Sequence, residues 1–412
     1  MRSTRPLRLA PIWWTLLVFI SARLMILMIW PAEQLTRYSD YHLFFRLAAL
    51  SETGHWPFVH YWSEYPPLFP LLLNVPIYWL SGGLFKNYVV LLGIVLLTCE
   101  VGCLYLLYSL ARAGYGQARA LRMVWIYAAL YVPVFIWLGT FEALVTLFVL
   151  GSVWAWLHKR DGLAGLCIGL GAMTKLWPLG LLLLAWRARG WRSVLISGLG
   201  ALLVCLVFLV PLSMLSPEFT LASLQAQASK SSWQTVWALL DGNLSNTGNF
   251  GPLIERFSPE RATSPLHHPT RLPSWLTLLP FSAIALFVLT RPPVQCVARD
   301  IPITAGLLLI LFFLWSKGWS PQWQLVAIPL LLLALPWERA VLFIIVLGLI
   351  NALEWPVILS RGLTQLLPIT IGLRTLLLAV LAWELYRQLT SPLHRAKPLV
   401  AQVANIETKV GD

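Results

Sequence analysis

Residues 88–110 read YVVLLGIVLLTCEVGCLYLLYSL, an apolar run with a single charged residue, Glu100. A helix of about 20 mostly apolar residues spans the hydrocarbon core of a bilayer, so this stretch predicts a transmembrane helix. Similar runs recur along the chain and predict about twelve crossings. They cover approximately residues 11–31, 88–110, 123–138, 142–157, 163–174, 176–186, 193–213, 274–290, 301–315, 322–335, 340–359 and 366–386.

The composition excludes an ordinary soluble domain. Of the 412 residues, 58% are hydrophobic and only 11% are charged. The net charge is +13, yet the basic residues form small clusters between apolar runs, which argues against nucleic acid as a partner. The five cysteines contain no CxxC spacing, and the sequence has no cluster with metal-ligand spacing. Neither a metal nor an organic cofactor is therefore expected.

The distribution of lysine and arginine predicts the orientation in the membrane. Short basic segments favour the cytoplasmic side, so both termini are expected there, in a plasma-membrane protein. A single membrane domain then covers residues 1–390, and residues 391–412 form a cytoplasmic tail. Two long segments, 32–87 (the first loop) and 214–273 (the second loop), lie outside. Within the first loop, the short apolar run 66–80 is interpreted as an interfacial or re-entrant helix.

The acidic residues separate by predicted depth. Those near the cytoplasmic face or in the tail are interpreted as solvated: Asp161, Asp300, Glu338, Glu384, Glu407 and Asp412. Arg23, Glu100 and Glu354 fall within predicted spans, where isolated charges are costly, so structural ion pairs are expected. The outer acids are Glu33, Asp40, Glu52, Glu64, Glu142, Glu218, Asp241, Glu255 and Glu260. A site built from carboxylates is therefore expected at the outer surface.

Two of these outer carboxylates are candidates for catalysis. Asp40 follows the first span within Tyr38-Ser39-Asp40-Tyr41-His42, where low-dielectric surroundings would raise its basicity. The alternative for Asp40 is an N-cap of the helix that follows. Glu142 comes after Gly139-Thr140-Phe141 at the entrance of a span, and its alternative is a first-turn or capping acid.

Two lysines are candidates for neutralising a phosphate. Lys175 interrupts two half-length apolar runs within Met173-Thr174-Lys175-Leu176-Trp177-Pro178, and broken helices at membrane depth occur where they line a cavity. Lys317 occupies the turn between two predicted spans. Snorkelling to the interface is the alternative for both lysines.

The second loop contributes further candidates. Lys230 and Arg256 are possible phosphate ligands by location alone. Trp233 and Trp237 are four residues apart, which places both rings on one face of a predicted helix at the level of the lipid headgroups.

The order of these motifs resembles polyprenyl-phosphate-dependent glycosyltransferases of the GT-C fold. Family 87, which includes the mycobacterial polyprenol-phosphate-mannose α-mannosyltransferases, is the most similar. The matching segments are Asp40 with Gly54, Pro57 and Tyr65-Pro66-Pro67-Leu68; Gly139 to Glu142; Lys175 to Pro178; Trp233 to Gly242; and Ser320-Pro321-Gln322-Trp323 with Pro329. The resemblance implies an all-α integral membrane bundle of GT-C type with an extracytoplasmic cavity roofed by the first loop.

The resemblance also implies a reaction and a set of residues. A single sugar, mannose by analogy with the family, would move with inversion from a polyprenyl-phosphate donor to a glycan or glycolipid acceptor. Asp40 would be the general base, and Glu142 would stand at a second acidic position where the family often has Asp. Apart from the resemblance, charge develops on the leaving phosphate, so fixed cations should contact it, with Lys175 as the first candidate and Lys317 as the second. The residues expected to touch substrate are Tyr41, His42, Tyr65, Trp233 and Gln322.

Other functions compete with this interpretation. Charges within the spans also suit a transporter or a flippase of lipid-linked sugars, although the sequence shows no internal repeat. A polymerase or ligase of lipid-linked oligosaccharides and a non-catalytic subunit are further alternatives. The polar residues lie mainly on one side of the predicted spans, which favours an enzyme over alternating access.

Overall fold

The computed structural model describes residues 11–132, 141–248, 251–263, 270–293 and 296–390. Within these residues the fold is helical, and only two isolated bridges pair extended backbone, Pro57 with Tyr61 and Trp233 with Gly318. The predicted tail 391–412 and the motif residues Gly139 and Thr140 lie outside the described residues.

The α-helices are numbered here in chain order. They are α1 Pro11–Ile29, α2 Ala32–Leu35, α3 Tyr41–Ala49, α4 Val75–Leu80, α5 Phe85–Tyr115, α6 Gln117–Ala129, α7 Glu142–Leu157, α8 Asp161–Ala172, α9 Leu182–Arg189, α10 Trp191–Leu215, α11 Pro217–Ser229, α12 Val236–Asp241, α13 Ser274–Thr290, α14 Val297–Trp315, α15 Gln324–Ala334, α16 Trp337–Ala352 and α17 Leu367–Thr390. Segments of π-helix cover Leu68–Asn74 and Leu353–Ile358. Segments of 3₁₀-helix include Leu50–Thr53, Trp177–Leu181, Leu253–Phe257, Pro259–Thr263 and Pro321–Trp323.

The helices confirm a membrane protein. Within the described residues, 6 helices are long and apolar enough to cross a bilayer. They are Pro11–Ile29, Phe85–Tyr115, Trp191–Leu215, Val297–Trp315, Trp337–Arg361 and Thr364–Thr390. Shorter apolar helices cover Leu68–Leu80, Glu142–Leu157, Asp161–Ala172, Ser274–Thr290 and Pro321–Ala334. The twelve crossings, their orientation, the single-domain boundary and the interfacial position of residues 66–80 remain predictions.

Glycines bring α8 and α10 into backbone contact. A Cβ at Gly165 would lie 2.2 Å from the backbone oxygen of Ser197, and one at Gly169 would lie 2.9 Å from that of Ala201. Small residues allow this close approach, which supplies the van der Waals contact that holds helices together in lipid. Trp156 of α7 adds a hydrogen bond by donating to Ser197 Oγ at 3.1 Å.

Buried ion pairs connect other helices, as expected for charges within spans. Arg23 of α1 donates to Glu100 of α5 at 2.5 Å, and Tyr127 of α6 donates to the same carboxylate at 3.5 Å. Glu354 pairs with Arg374 of α17 at 2.6 Å. The prediction of structural pairing for Arg23, Glu100 and Glu354 is therefore confirmed.

The prediction that the cytoplasmic-side acids are solvated is wrong for Asp161, Asp300 and Glu384, which are all buried and paired. Asp300 makes two hydrogen bonds with Arg187, at 2.6 and 2.8 Å, and Asp161 accepts from Arg189 at 2.8 Å. Glu384 pairs with Arg339. Basic residues on other helices pair with these carboxylates and exclude water from them. Such contacts between helices cannot be read from the hydropathy of the sequence. Glu338 is exposed as predicted, while Glu407 and Asp412 lie outside the described residues.

We predict that Gly165→Ala destabilises the protein by about 1 to 3 kcal/mol, because its methyl group would overlap the α10 backbone. Gly162→Ala is the matched control, since it lies on the same helix and its Cβ would meet nothing within 4 Å. The melting temperature in detergent should fall for Gly165→Ala alone. Equal melting temperatures for both variants would contradict the close contact between α8 and α10.

Candidate functional site

A cavity of about 1030 Å³ lies between the two loops and the broken helix after α8. Its charged and polar wall includes Asp40, Glu64, Lys175, Lys230, Lys317 and Gln322. Its apolar wall includes Leu181, Leu278, Phe281, Leu289, Leu308 and Phe312. The cavity therefore combines a polar chamber with an apolar groove.

Asp40 is held at the start of α3 but does not cap it. It occupies the N-cap position, yet its side chain makes no capping hydrogen bond, so the capping alternative is not supported. The hydroxyl of Tyr65 lies 3.5 Å from Asp40 Oδ2. Burial, and next the negative charge of Glu64, raise the pKa of Asp40 to about 6, against the opposing effect of Lys230 and Lys175. Asp40 is thus a carboxylate with the basicity of a general base near neutral pH.

Glu64 and Lys230 complete the charged chamber. Glu64 is buried and accepts a hydrogen bond from Arg256 at 3.1 Å, which joins the first loop to the second. Burial lowers the pKa of Lys230 to about 8, although Glu64 and Asp40 oppose this shift. Lys230 therefore still carries a positive charge at neutral pH and can attract an anion into the cavity.

Lys175 is fixed by Glu142 across the break between α8 and α9. The two side chains form an ion pair in which Glu142 is 1% exposed, and Glu142 begins α7 without capping it. Three aromatic rings surround the Lys175 ammonium, with centroids at 5.9 Å for Tyr65, 5.5 Å for Phe141 and 5.7 Å for Trp323. Lys175 lines the cavity, so the structure favours a lysine that faces the cavity over one that snorkels to the interface.

Backbone hydrogen bonds and close packing hold Trp233 of the second loop in the cavity wall. The Trp233 amide donates to the Lys317 carbonyl at 3.0 Å, and the Trp319 amide donates to the Trp233 carbonyl at 3.2 Å. A Cβ at Gly318 would lie 2.0 Å from the Trp233 ring, and one at Gly248 would lie 2.8 Å from it. The indole is therefore held between two glycines, where no larger residue fits.

Lys317 is bonded within the protein and also lines the cavity. Its ammonium group donates to the carbonyl of Leu272, and burial lowers the pKa of this lysine.

The structure brings most of the predicted site residues together. Those that line the cavity are Asp40, Tyr65, Lys175, Trp233, Lys317 and Gln322. Glu142 reaches it through its ion pair with Lys175. Two others lie elsewhere: Tyr41 is fully buried against Tyr88, and His42 stacks on Phe85 and pairs with Glu33. Side chains of consecutive residues at the start of a helix point in different directions. The side chain of Asp40 therefore faces the cavity, while those of Tyr41 and His42 point away from it.

Two second-loop predictions also change. Trp233 and Trp237 do not share a helix face, because Trp233 precedes α12 in extended backbone, whereas Trp237 lies within α12 and donates to the Leu314 carbonyl at 3.2 Å. Arg256 is buried against Glu64 and is not part of the cavity wall, whereas Lys230 is.

Sequence reasoning did not single out two wall residues, Glu64, which it named only among the outer acids, and Gln234. Glu64 directly precedes the Tyr65-Pro66-Pro67-Leu68 motif, which is a signal that could have found it. Gln234 follows Trp233 in another matching segment, but nothing in its local pattern marks its left-handed backbone, which has a φ of 51°.

The apolar groove runs along α13. Its wall extends from Ser274 to Leu289, which corresponds to about 22 Å of helix, and the facing side is formed by Leu308 and Phe312 of α14. This length approaches the thickness of the hydrocarbon core. The groove can therefore hold an extended hydrocarbon chain whose polar end reaches the charged chamber.

These features define a helical membrane protein with a charged cavity at the end of an apolar groove. Residues 62–300 match the sequence profile of glycosyltransferase family 87, which is more than half of the chain. The chain belongs to glycosyltransferase family 87, and it is a membrane glycosyltransferase. A comparison with curated proteins gives no match. The matched range contains Glu142 and Lys175, while Asp40 precedes it and Lys317 follows it.

We predict that Glu142→Gln destabilises the protein by about 2 kcal/mol, because it leaves the Lys175 ammonium without its counter-charge in a largely buried position. The double variant Glu142→Gln/Lys175→Met removes both charges and should regain more than half of the lost melting temperature. Thermal unfolding of the two single variants and the double variant forms a complete cycle. Additive losses would show that the two side chains do not interact.

Proposed function

We propose that the protein transfers a single sugar, mannose by preference, from a polyprenyl-phosphate donor to a hydroxyl of a glycan or glycolipid acceptor on the extracytoplasmic side. The observation that carries this proposal is the placement of Asp40, a carboxylate of raised pKa, in one cavity with Lys175, Lys230 and Lys317. The family match supports the reaction class.

In the proposed reaction, Asp40 accepts the proton of the acceptor hydroxyl as the oxygen attacks the anomeric carbon. The bond between that carbon and the phosphate oxygen breaks, and the polyprenyl phosphate leaves with the electron pair. Attack opposite the leaving group inverts the anomeric configuration. Asp40 therefore acts as a general base, and its raised pKa makes the carboxylate a stronger proton acceptor.

Negative charge accumulates on the departing phosphate, so fixed cations in a water-poor chamber stabilise the transition state. Lys175 is the first of these cations, because Glu142 and three aromatic rings fix its position. Lys230 and Lys317 lie on the same cavity wall. In this proposal Glu142 positions Lys175 and does not touch the acceptor.

The apolar groove supports a lipid-linked donor. A polyprenyl chain matches the hydrocarbon character and the length of the groove along α13, and its phosphate then lies in the charged chamber. No nucleotide-binding glycine-rich motif is present in the sequence, which agrees with a lipid-phosphate donor.

We predict that Asp40→Asn lowers turnover by about 10² to 10⁴, because the amide keeps the shape of the side chain but cannot accept the proton. Its melting temperature should remain near that of the wild type, since Asp40 makes no capping hydrogen bond. The assay follows the release of free polyprenyl phosphate from a panel of polyprenyl-phosphate sugars, with an alkyl mannoside as acceptor. Binding of the donor should be nearly unchanged, because the carboxylate acts in the transition state.

An Asp40→Asn variant as active as the wild type would contradict the role of Asp40 as base. Donor binding by the wild type without release of polyprenyl phosphate from any sugar of the panel would instead favour a transporter or flippase. Release of a preassembled oligosaccharide in one step would indicate a polymerase or ligase.

We predict a bell-shaped dependence of kcat/KM on pH. Asp40 must be deprotonated to accept a proton, so activity should rise as the pH passes its pKa of about 6. Lys230 must be protonated to attract the donor phosphate, so activity should fall as the pH passes its pKa of about 8. Lys230→Met should remove the alkaline limb and shift the acid limb to higher pH, because Lys230 also lowers the pKa of Asp40. A profile that is flat between pH 5 and 7 would exclude Asp40 as the titrating base.

A further inference from the structure

Gln234 combines three unusual features on the wall of the cavity. Its side chain is 3% exposed, and within the described residues its Oε1 has no hydrogen-bond partner. Its backbone has a φ of 51°, in the left-handed region that residues other than glycine rarely adopt. It lines the cavity beside Trp233. Buried polar atoms are almost always satisfied, so an amide oxygen without a partner next to a cavity indicates a place for a ligand.

A buried ion pair holds this backbone in place. The Arg374 guanidinium donates to the Gln234 carbonyl and, at 2.6 Å, to Glu354 in the π-helical segment after α16. The Arg374 guanidinium carbon also lies 5.0 Å from the ring centroid of Trp319. The backbone amide of Trp319 donates a hydrogen bond to the Trp233 carbonyl. The second loop is thus attached to α17 at Gln234, and strain of this kind persists where the surroundings fix it and is concentrated at functional sites.

The chemistry of the amide selects the group that would bind. A glutamine side chain offers a carbonyl acceptor and an amide donor, and a sugar hydroxyl can both donate and accept. Lys175, Lys230 and Lys317 line the cavity and in the proposed function bind the anionic part of the donor. An additional neutral group in the same chamber therefore suits the neutral part of a substrate.

We propose that Gln234 is a further substrate-binding residue whose side-chain amide hydrogen-bonds a sugar hydroxyl, with Arg374 and Glu354 as its positioning residues. This inference rests on the proposed glycosyl transfer. The hydroxyl belongs either to the sugar of the donor or to the acceptor, and a site that reads a hydroxyl by a buried polar group rejects analogues that lack it.

The test replaces the amide in two ways. Gln234→Met keeps the length of the side chain without its hydrogen bonds, and Gln234→Gly removes the side chain while it relieves the left-handed backbone. Gln225→Met is the matched control, because Gln225 is exposed on α11 of the same loop. The substrates are polyprenyl-phosphate mannose, polyprenyl-phosphate glucose and an alkyl mannoside acceptor, and kcat and KM are measured for each.

Both Gln234 variants should lose about 5- to 100-fold in kcat/KM for the substrate that Gln234 contacts, while Gln225→Met stays at the wild-type value. Contact with the donor sugar predicts a smaller preference between the mannose and glucose donors. Contact with the acceptor predicts a raised KM for the alkyl mannoside and an unchanged donor preference.

Wild-type kinetics and donor preference in both folded Gln234 variants would overturn this inference. That outcome leaves glycosyl transfer itself intact, because the wild type and both variants would still release polyprenyl phosphate. Loss of the proposed function would appear differently, as an inactive wild type on every donor.

Discussion

The break between α8 and α9 is the constraint on which the site depends. Backbone groups shielded from water must be satisfied by the protein, so a helix can stop in a buried position only where other segments take over its hydrogen bonds. The Lys175 amide still donates to the Gly171 carbonyl at 2.8 Å, and the Met173 carbonyl accepts from the Leu68 amide of the first loop at 2.8 Å. Glu142 neutralises the charge that the break exposes. The first loop, α7 and the broken helix are therefore fixed to one another, and the cavity forms where they meet.

Local sequence was sufficient to find this part of the site. Apolar runs of half the usual length predicted the break, and an isolated lysine within it predicted that Lys175 faces a cavity, because both follow from hydropathy alone. Asp40 was predicted to be a candidate catalytic carboxylate from its position directly after a long apolar span. The membrane-spanning character was likewise evident from runs such as residues 88–110. These features depend on short stretches of chain and on the cost of charge in lipid.

Features that depend on distant segments were not predictable in this way. Asp300 lies 113 residues from Arg187, and no local pattern shows that the two meet. Trp233 was placed on a helix by its spacing from Trp237, but the pairing of its backbone with the turn at Gly318 takes precedence. The left-handed backbone of Gln234 likewise accompanies a hydrogen bond to its carbonyl from Arg374, which is 140 residues away. Tertiary contacts decided each of these positions against local preference.

The charges of the chamber work together in the proposed reaction. Burial and Glu64 raise the pKa of Asp40, while Lys230 and Lys175 lower it. A polyprenyl-phosphate sugar brings one negative charge, which would offset the effect of these lysines on Asp40. The carboxylate should then become more basic once the donor is bound, because an additional anion nearby disfavours its charged form. In this proposal the lysines that would bind the phosphate also make the basicity of Asp40 depend on the presence of the donor, which would favour proton abstraction in the complex where transfer can occur.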